Sequence, residues 1–149
     1  MVVVLGAHAD LVRPCLAGRD VVTVQNEGWS EGIASSLREG LRAALAADPS
    51  LEALLVAPCD QPALSPGVVT ALAKAHRETG RIAASRYQGR NGAPAVFGFA
   101  HFELLLGLKG DEGARRILNG DPGRVSPVDH PELAVDLDTP EDYAAWKPE

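Results

Sequence analysis

The amino-acid sequence predicts an α/β fold: three layers, with a mostly parallel sheet covered by helices on both faces. Short apolar runs at Val2 to Leu5, Val21 to Val24 and Leu54 to Ala57 have the length and composition of strands buried on both faces. Segments of helical periodicity stand between them. The helices open on local start chemistry, Ser65-Pro66 and Thr139-Pro140, with a hydroxyl as N-cap and proline at the first helical position. No repeat, low-complexity tract or linker interrupts this alternation. Residues 1–149 are therefore expected to form one domain, with right-handed crossovers between parallel strands.

In chain order, Val2 to Leu5 is a strand and Gly6 to Asp10 the turn after it; Ala9 to Leu16 is a short helix that Pro14 makes irregular. After the strand at Val21 to Val24 comes a glycine-bearing loop, Asn26 to Gly32. Ile33, Leu37, Leu41 and Leu45 then recur at i, i+4, the apolar stripe of a helix that Asp48-Pro49 ends. Ser35 and Ser36 lie in its first turn. There a hydroxyl satisfies orphan amides, and the same groups can bind an anion or a ribose. The apolar run up to Ala57 stops at Pro58-Cys59-Asp60-Gln61-Pro62, and a helix follows from Pro66 to Gly80. Ile82 to Tyr87 is a strand, 88–94 a glycine-rich bend flanked by Arg86 and Arg90, and Val96 to Phe99 a strand again. Phe102 to Leu108 reads as a short buried helix, and Asp111 as the N-cap of a helix that turns Ile117 and Leu118 inward.

Two places carry chemistry. Asp60 lies just beyond the carboxyl end of a central strand, where open α/β sheets hold their ligands; the alternative is a turn aspartate bonding its own backbone. In Ala134-Val135-Asp136-Leu137-Asp138-Thr139-Pro140, strand period puts Asp136 and Asp138 on one side. Like charges side by side call for a cation or donors between them; the alternative is an exposed edge strand with an acidic face.

Composition narrows the partners. There are 14 basic and 20 acidic residues, a net charge of -6, with no basic block, which argues against a nucleic-acid polymer and is compatible with a metal-held polyphosphate. His8, His76, His101 and His130 lack the spacing of zinc ligands. Cys15 and Cys59 form no CxxC pair and read as reduced thiols of a cytoplasmic protein. No apolar run has the length of a membrane span.

In order along the chain, VVVLGAHAD, NEGWSEGIASSLREGL, LLVAPCDQPALSP, SRYQGRNGAPAVFG, GDEGAR and DLDTPED resemble the molybdopterin nucleotidyltransferases, most closely the molybdenum cofactor cytidylyltransferase branch. The resemblance implies a Rossmann-like nucleotidyltransferase fold and a parent reaction in which CMP passes from CTP to a molybdopterin-type acceptor with release of pyrophosphate. It implies Mg2+ held by Asp60 and Asp138, the latter preferred to Asp136. It places Gly32, Ser35, Ser36 and Leu37 against the nucleotide and Arg86, Gly92, Pro94 and Asp111 toward the pterin-side substrate. The family also opens with a strand and a glycine-rich loop that clamps the triphosphate, and Met1 here aligns with the family's next strand. That departure sets a second expectation beside the enzyme, a non-catalytic nucleotide- or cofactor-binding module, with a purely structural partner as a third. It also implies that Val2 to Leu5 and Leu54 to Ala57 either pair directly or leave an edge through which the chain forms a homodimer.

Overall fold

The computed structural model describes residues 1–146 and has the α/β order of elements expected from the sequence. It comprises two compact units. The first contains residues 1–54 and 99–117, the second residues 55–98 and 118–146.

In the first unit, β1 (Val2–Leu5) and β2 (Val22–Gln25) pair in parallel, with Val2 opposite Val22 and Leu5 opposite Gln25. The helix expected over 9–16 divides into α1 (Ala9–Val12) and a 3-10 turn at Arg13–Leu16. Pro14 has no amide to donate, so the α-helical ladder cannot pass it. Helix α2 (Ile33–Ala47) lies on β1, close enough that a Cβ on Gly40 would sit 3.0 Å from Val4 Cγ2. Its buried face, Ala34, Leu41 and Ala44, also meets α4 (Phe102–Leu106), which contributes Phe102 and Leu105 to the core.

In the second unit, a four-stranded sheet runs β3 (Ala53–Val56), β5 (Arg90–Gly98), β4 (Ile82–Tyr87), β6 (Val125–Asp129), with β3 entering from the first unit. Strand β4 pairs in parallel with β6 and antiparallel with β5, so the sheet is mixed. Helix α3 (Pro66–Thr79) packs on β4, β5 and β6 through Val68 and Leu72, over a core that includes Ile82, Ala84, Phe97 and Val125. The start and stop signals of α3 act as expected: Ser65 Oγ accepts the Val68 amide, Pro66 follows, and Gly80 ends the helix at φ +66°. Helix α5 (Arg115–Gly120) links the two stretches of chain, and α6 (Pro140–Ala145) closes the second unit.

Four expectations are corrected. The bend at 88–94 is only two residues long. Gln88 and Gly89, at φ +51° and +72°, form the turn, and Arg90 already begins β5; paired left-handed residues give the twist that joins two antiparallel strands. Residues 135–138 are not a strand, because Leu137 makes a single amide bond, to the distant Asp60 carbonyl, instead of a ladder. Asp111 does not cap a helix; it lies in the turn before α5, which starts at Arg115. Strands β1 and β3 do not pair directly, since they belong to different sheets.

Candidate functional site

In the second unit the chain leaves β3 and turns at 58–62. The Leu137 amide donates to the Asp60 carbonyl at 2.8 Å and holds the acidic segment against this turn. Asp138 follows, exposed, and Thr139 then starts α6 with a reciprocal cap: the Asp142 amide donates to Thr139 Oγ1 (3.1 Å), while the Thr139 amide and hydroxyl donate to Asp142 Oδ2 (2.9 and 2.7 Å). Those bonds, the hydroxyl's first, hold the Asp142 carboxyl below its usual range. Asp138 is thus fixed between two anchors one residue away on either side.

Asp60 Oδ1 is buried and has no hydrogen-bond partner. A carboxylate oxygen removed from water without a donor is costly, and a bound cation would remove the cost. An oxygen-preferring divalent ion that takes one or two carboxylates and completes its shell with waters and phosphates suits Asp60 with Asp138. Among the described residues no cluster of three or more histidine, cysteine, aspartate or glutamate side chains could hold a metal.

The same unit holds three more predicted residues. The Arg86 guanidinium donates to both carboxylate oxygens of Asp129 across the β4–β6 pair, at 2.7 and 3.0 Å, and these bonds draw the Asp129 carboxyl below its usual range. Gly92 is buried against Tyr87, whose hydroxyl oxygen would lie 2.5 Å from a Cβ placed there. Pro94, joined to Ala93 by a cis peptide, is fully buried in the sheet.

In the first unit the loop before α2 is held by Asn26, a residue that sequence reasoning passed over. Asn26 is 2% exposed; its Nδ2 donates to Ser35 Oγ (2.7 Å) and Ser36 Oγ (3.0 Å), and its Oδ1 accepts the Gly28 amide (2.9 Å). Ser35 Oγ donates in turn to the Gly32 carbonyl at 2.8 Å, so that hydroxyl is committed to the loop, and Leu37 is half-buried on α2 beside it. Gly32, at φ +117° and ψ -178°, occupies a region essentially closed to other residues. A Cβ there would strike the Asp111 carboxylate and lie 2.5 Å from the Gly110 carbonyl carbon and oxygen. Further bonds hold this close approach: the Ala34 amide donates to the Gly110 carbonyl, and the Gly110 amide to Glu31 Oε1. Arg38 bridges Glu31 (2.6 Å) and the Leu108 carbonyl (2.7 Å), and its bond to Glu31 is the main reason that carboxyl is depressed. The structure therefore brings Gly32, Ser35, Ser36 and Asp111 into one unit and Asp60, Asp138, Arg86, Gly92 and Pro94 into the other.

Residues 1–133 match the MobA-like NTP transferase domain, and the chain belongs to that family. The purine catabolism protein PucB of Bacillus subtilis (strain 168) is 34% identical over 117 residues, which cover 76% of this chain and 55% of PucB; this chain thus spans little more than half the length of that relative. Nicotine blue oxidoreductase of Paenarthrobacter nicotinovorans is 34% identical over 152 residues, 95% of this chain and 72% of that protein. Among solved structures, the Rv0371c homologue from Mycobacterium sp. strain JC1 is similar at a TM-score of 0.75 and 29% identity, covering 97% of this chain and 71% of its own. Rv0371c from Mycobacterium tuberculosis H37Rv, solved in complex with manganese, gives 0.68 and 28%, covering 97% and 75%. No helix among the described residues is long and apolar enough to cross a membrane.

Proposed function

We propose that this protein is a divalent-metal-dependent nucleotidyltransferase that moves CMP from CTP to a molybdopterin-type acceptor, releasing pyrophosphate. The observation that carries the metal part is the buried, unpartnered Asp60 Oδ1 beside the acidic segment that Leu137 ties to the Asp60 carbonyl. A manganese complex of the related Rv0371c supports a divalent ion, and Mg2+ is the ion proposed here. The preference for CTP and the molybdopterin-type acceptor rest on the motif resemblance alone. The relatives' names, one for purine catabolism and one for an oxidoreductase, are why the acceptor needs a direct test.

In this reading Asp60 and Asp138 hold the ion, which when bound offsets negative charge gathering on the α-phosphate and the departing pyrophosphate. Asn26 fixes the turn from Gly28 to Ser36, so that Gly32, Ser36 and Leu37 offer a preformed surface to the nucleotide. Arg86, Gly92, Pro94 and Asp111 are assigned to the acceptor. A phosphate acceptor is already a nucleophile, so no side chain need remove a proton; positioning and charge neutralisation suffice. The protein is proposed to act in the cytoplasm as a homodimer. Strands β1 and β3 are each terminal in their sheets and apolar, an arrangement that favours recruitment of another strand.

Pyrophosphate release measured with each of the four nucleoside triphosphates, Mg2+ and a molybdopterin acceptor tests the reaction. Turnover fastest with CTP is expected, and its loss in Asp60→Asn with the thermal midpoint kept. Nucleotide binding without turnover would instead support the non-catalytic module. Loss of fold and function together in Asp60→Asn would return Asp60 to a turn residue.

A further inference from the structure

Gln61, next to Asp60, is 6% exposed, which is unusual for a glutamine directly after a surface turn. Its Nε2 donates twice, to Tyr87 Oη and to the Leu133 carbonyl, both at 3.1 Å. The Tyr87 hydroxyl spends its own proton on the Ala93 carbonyl at 2.9 Å, so toward Gln61 it can only accept. Leu133 offers a carbonyl, also an acceptor. The amide therefore cannot be turned round, since Oε1 would then face two acceptors. Oε1 is left buried with no partner, as is Oδ1 of the adjoining Asp60. The seat of the Tyr87 hydroxyl in turn depends on Gly92, where any Cβ would collide with it.

We infer that Gln61 is a positioning residue for the Asp60 metal site, locked from behind by Tyr87 and the Leu133 carbonyl. Its orientation leaves Oε1 as a fixed acceptor for a donor that arrives with the ligand, a water of a hydrated divalent ion. Ions of the magnesium type keep several waters, and outer-sphere acceptors for them tune affinity. Tyr87 acts one step further out, by holding the amide that holds the turn. The inference rests on the metal reading above and assigns to it two residues outside the coordinating pair.

Mn2+ titration followed by electron paramagnetic resonance, together with metal-free thermal unfolding, separates the outcomes. Wild type should bind Mn2+ and Asp60→Asn should not. Tyr87→Phe and Gln61→Leu should each bind about tenfold more weakly, the scale of outer-sphere losses. Leu72→Ala, a core truncation in α3 that leaves the Gln61 bonds untouched, should lower the midpoint at unchanged Mn2+ affinity. If Gln61→Leu fails to fold, Tyr87→Phe decides alone. Wild-type affinity in Gln61→Leu, or in Tyr87→Phe where Gln61→Leu does not fold, with Asp60→Asn still unable to bind, overturns the role of Gln61 and leaves the metal site standing. A wild-type protein that binds no Mn2+ overturns the metal reading and this inference with it.

Discussion

Replacing Gly32 by alanine probes a close backbone approach in the first unit. At φ +117° and ψ -178° an alanine is held in a region that costs on the order of 1–3 kcal/mol for a residue with a Cβ. The new methyl would also meet the Gly110 carbonyl carbon and oxygen at 2.5 Å, and these are backbone atoms that cannot swing aside. Forcing them apart is an overpacking change, about 1–3 kcal/mol more. The Ala34 amide would lose its acceptor on Gly110, and the Glu31 contact to the Gly110 amide would stretch. The total, about 2–6 kcal/mol, is a large share of the roughly 5–15 kcal/mol that stabilises a domain. With a urea slope of about 2 kcal/mol/M, the unfolding midpoint should fall by about 1–3 M. Gly120→Ala is the control: no atom lies within 4 Å of its Cβ position and its φ is unremarkable, so the midpoint should hold or rise slightly. A Gly32→Ala stability within about 0.5 kcal/mol of wild type would show that the approach of Gly110 is not fixed by the glycine.

Asn26→Ala should cost about 1–3 kcal/mol in urea unfolding, because it leaves a loop amide and two serine hydroxyls without their buried partner; CTP affinity should fall with it in an equilibrium binding measurement. Phe97→Ala, at a fully buried position in β5, should cost about 3–5 kcal/mol in the same unfolding measurement while leaving the Asn26 loop untouched. Glu31, Asp129 and Asp142 all have carboxyls depressed by hydrogen-bond partners, so their folded values lie below the unfolded ones and their stabilisation is present above the unfolded values and lost as pH falls. The thermal midpoint should therefore be level above about pH 5 and decline below about pH 4, near the ordinary carboxyl range. Sedimentation equilibrium should give a homodimer; a monomer across the micromolar range would refute association through β1 or β3.

The elements legible in the sequence are those set by local chemistry. Ser65-Pro66 and Thr139-Pro140 start helices because cap, proline and first free amides lie within four residues of each other. Helix α2 was legible for the same reason, since its period belongs to one segment, but of the expected stripe only Leu41 is fully buried: Ile33 is 51% exposed, and Ala34 and Ala44 take the inward face instead. The bend at 88–94 misled because Gly92 and Pro94 look like turn residues. In fact Gly92 is small to admit the Tyr87 hydroxyl, a demand made by the neighbouring strand, while the true turn is Gln88-Gly89. Alternation in Val135-Asp136-Leu137-Asp138 likewise resembled a strand, and Val135 is half exposed because no ladder forms there.

Asp60 was legible as a candidate ligand and the buried, bonded amide of Gln61 beside it was not, and the difference is physical. A carboxylate past the end of a buried strand is suggestive wherever it occurs, because its charge needs a partner. A glutamine there is ordinary until its surroundings are known. Its partners, Tyr87 and Leu133, lie 26 and 72 residues away, and only the folded second unit brings their acceptors to its amide. Asn26 is concealed in the same way, since it reaches forward 9 and 10 residues to hydroxyls that look like simple helix-start serines. Both residues are buried amides with both N–H groups committed, and each holds a turn that carries predicted ligand residues. Burial is what gives these amides their leverage: in water their bonds would exchange freely, whereas inside the unit breaking one strands a polar group. The residues that shape a site of this kind are therefore found by asking which polar side chains the fold removes from water, a question the linear pattern of charges and apolar runs does not answer.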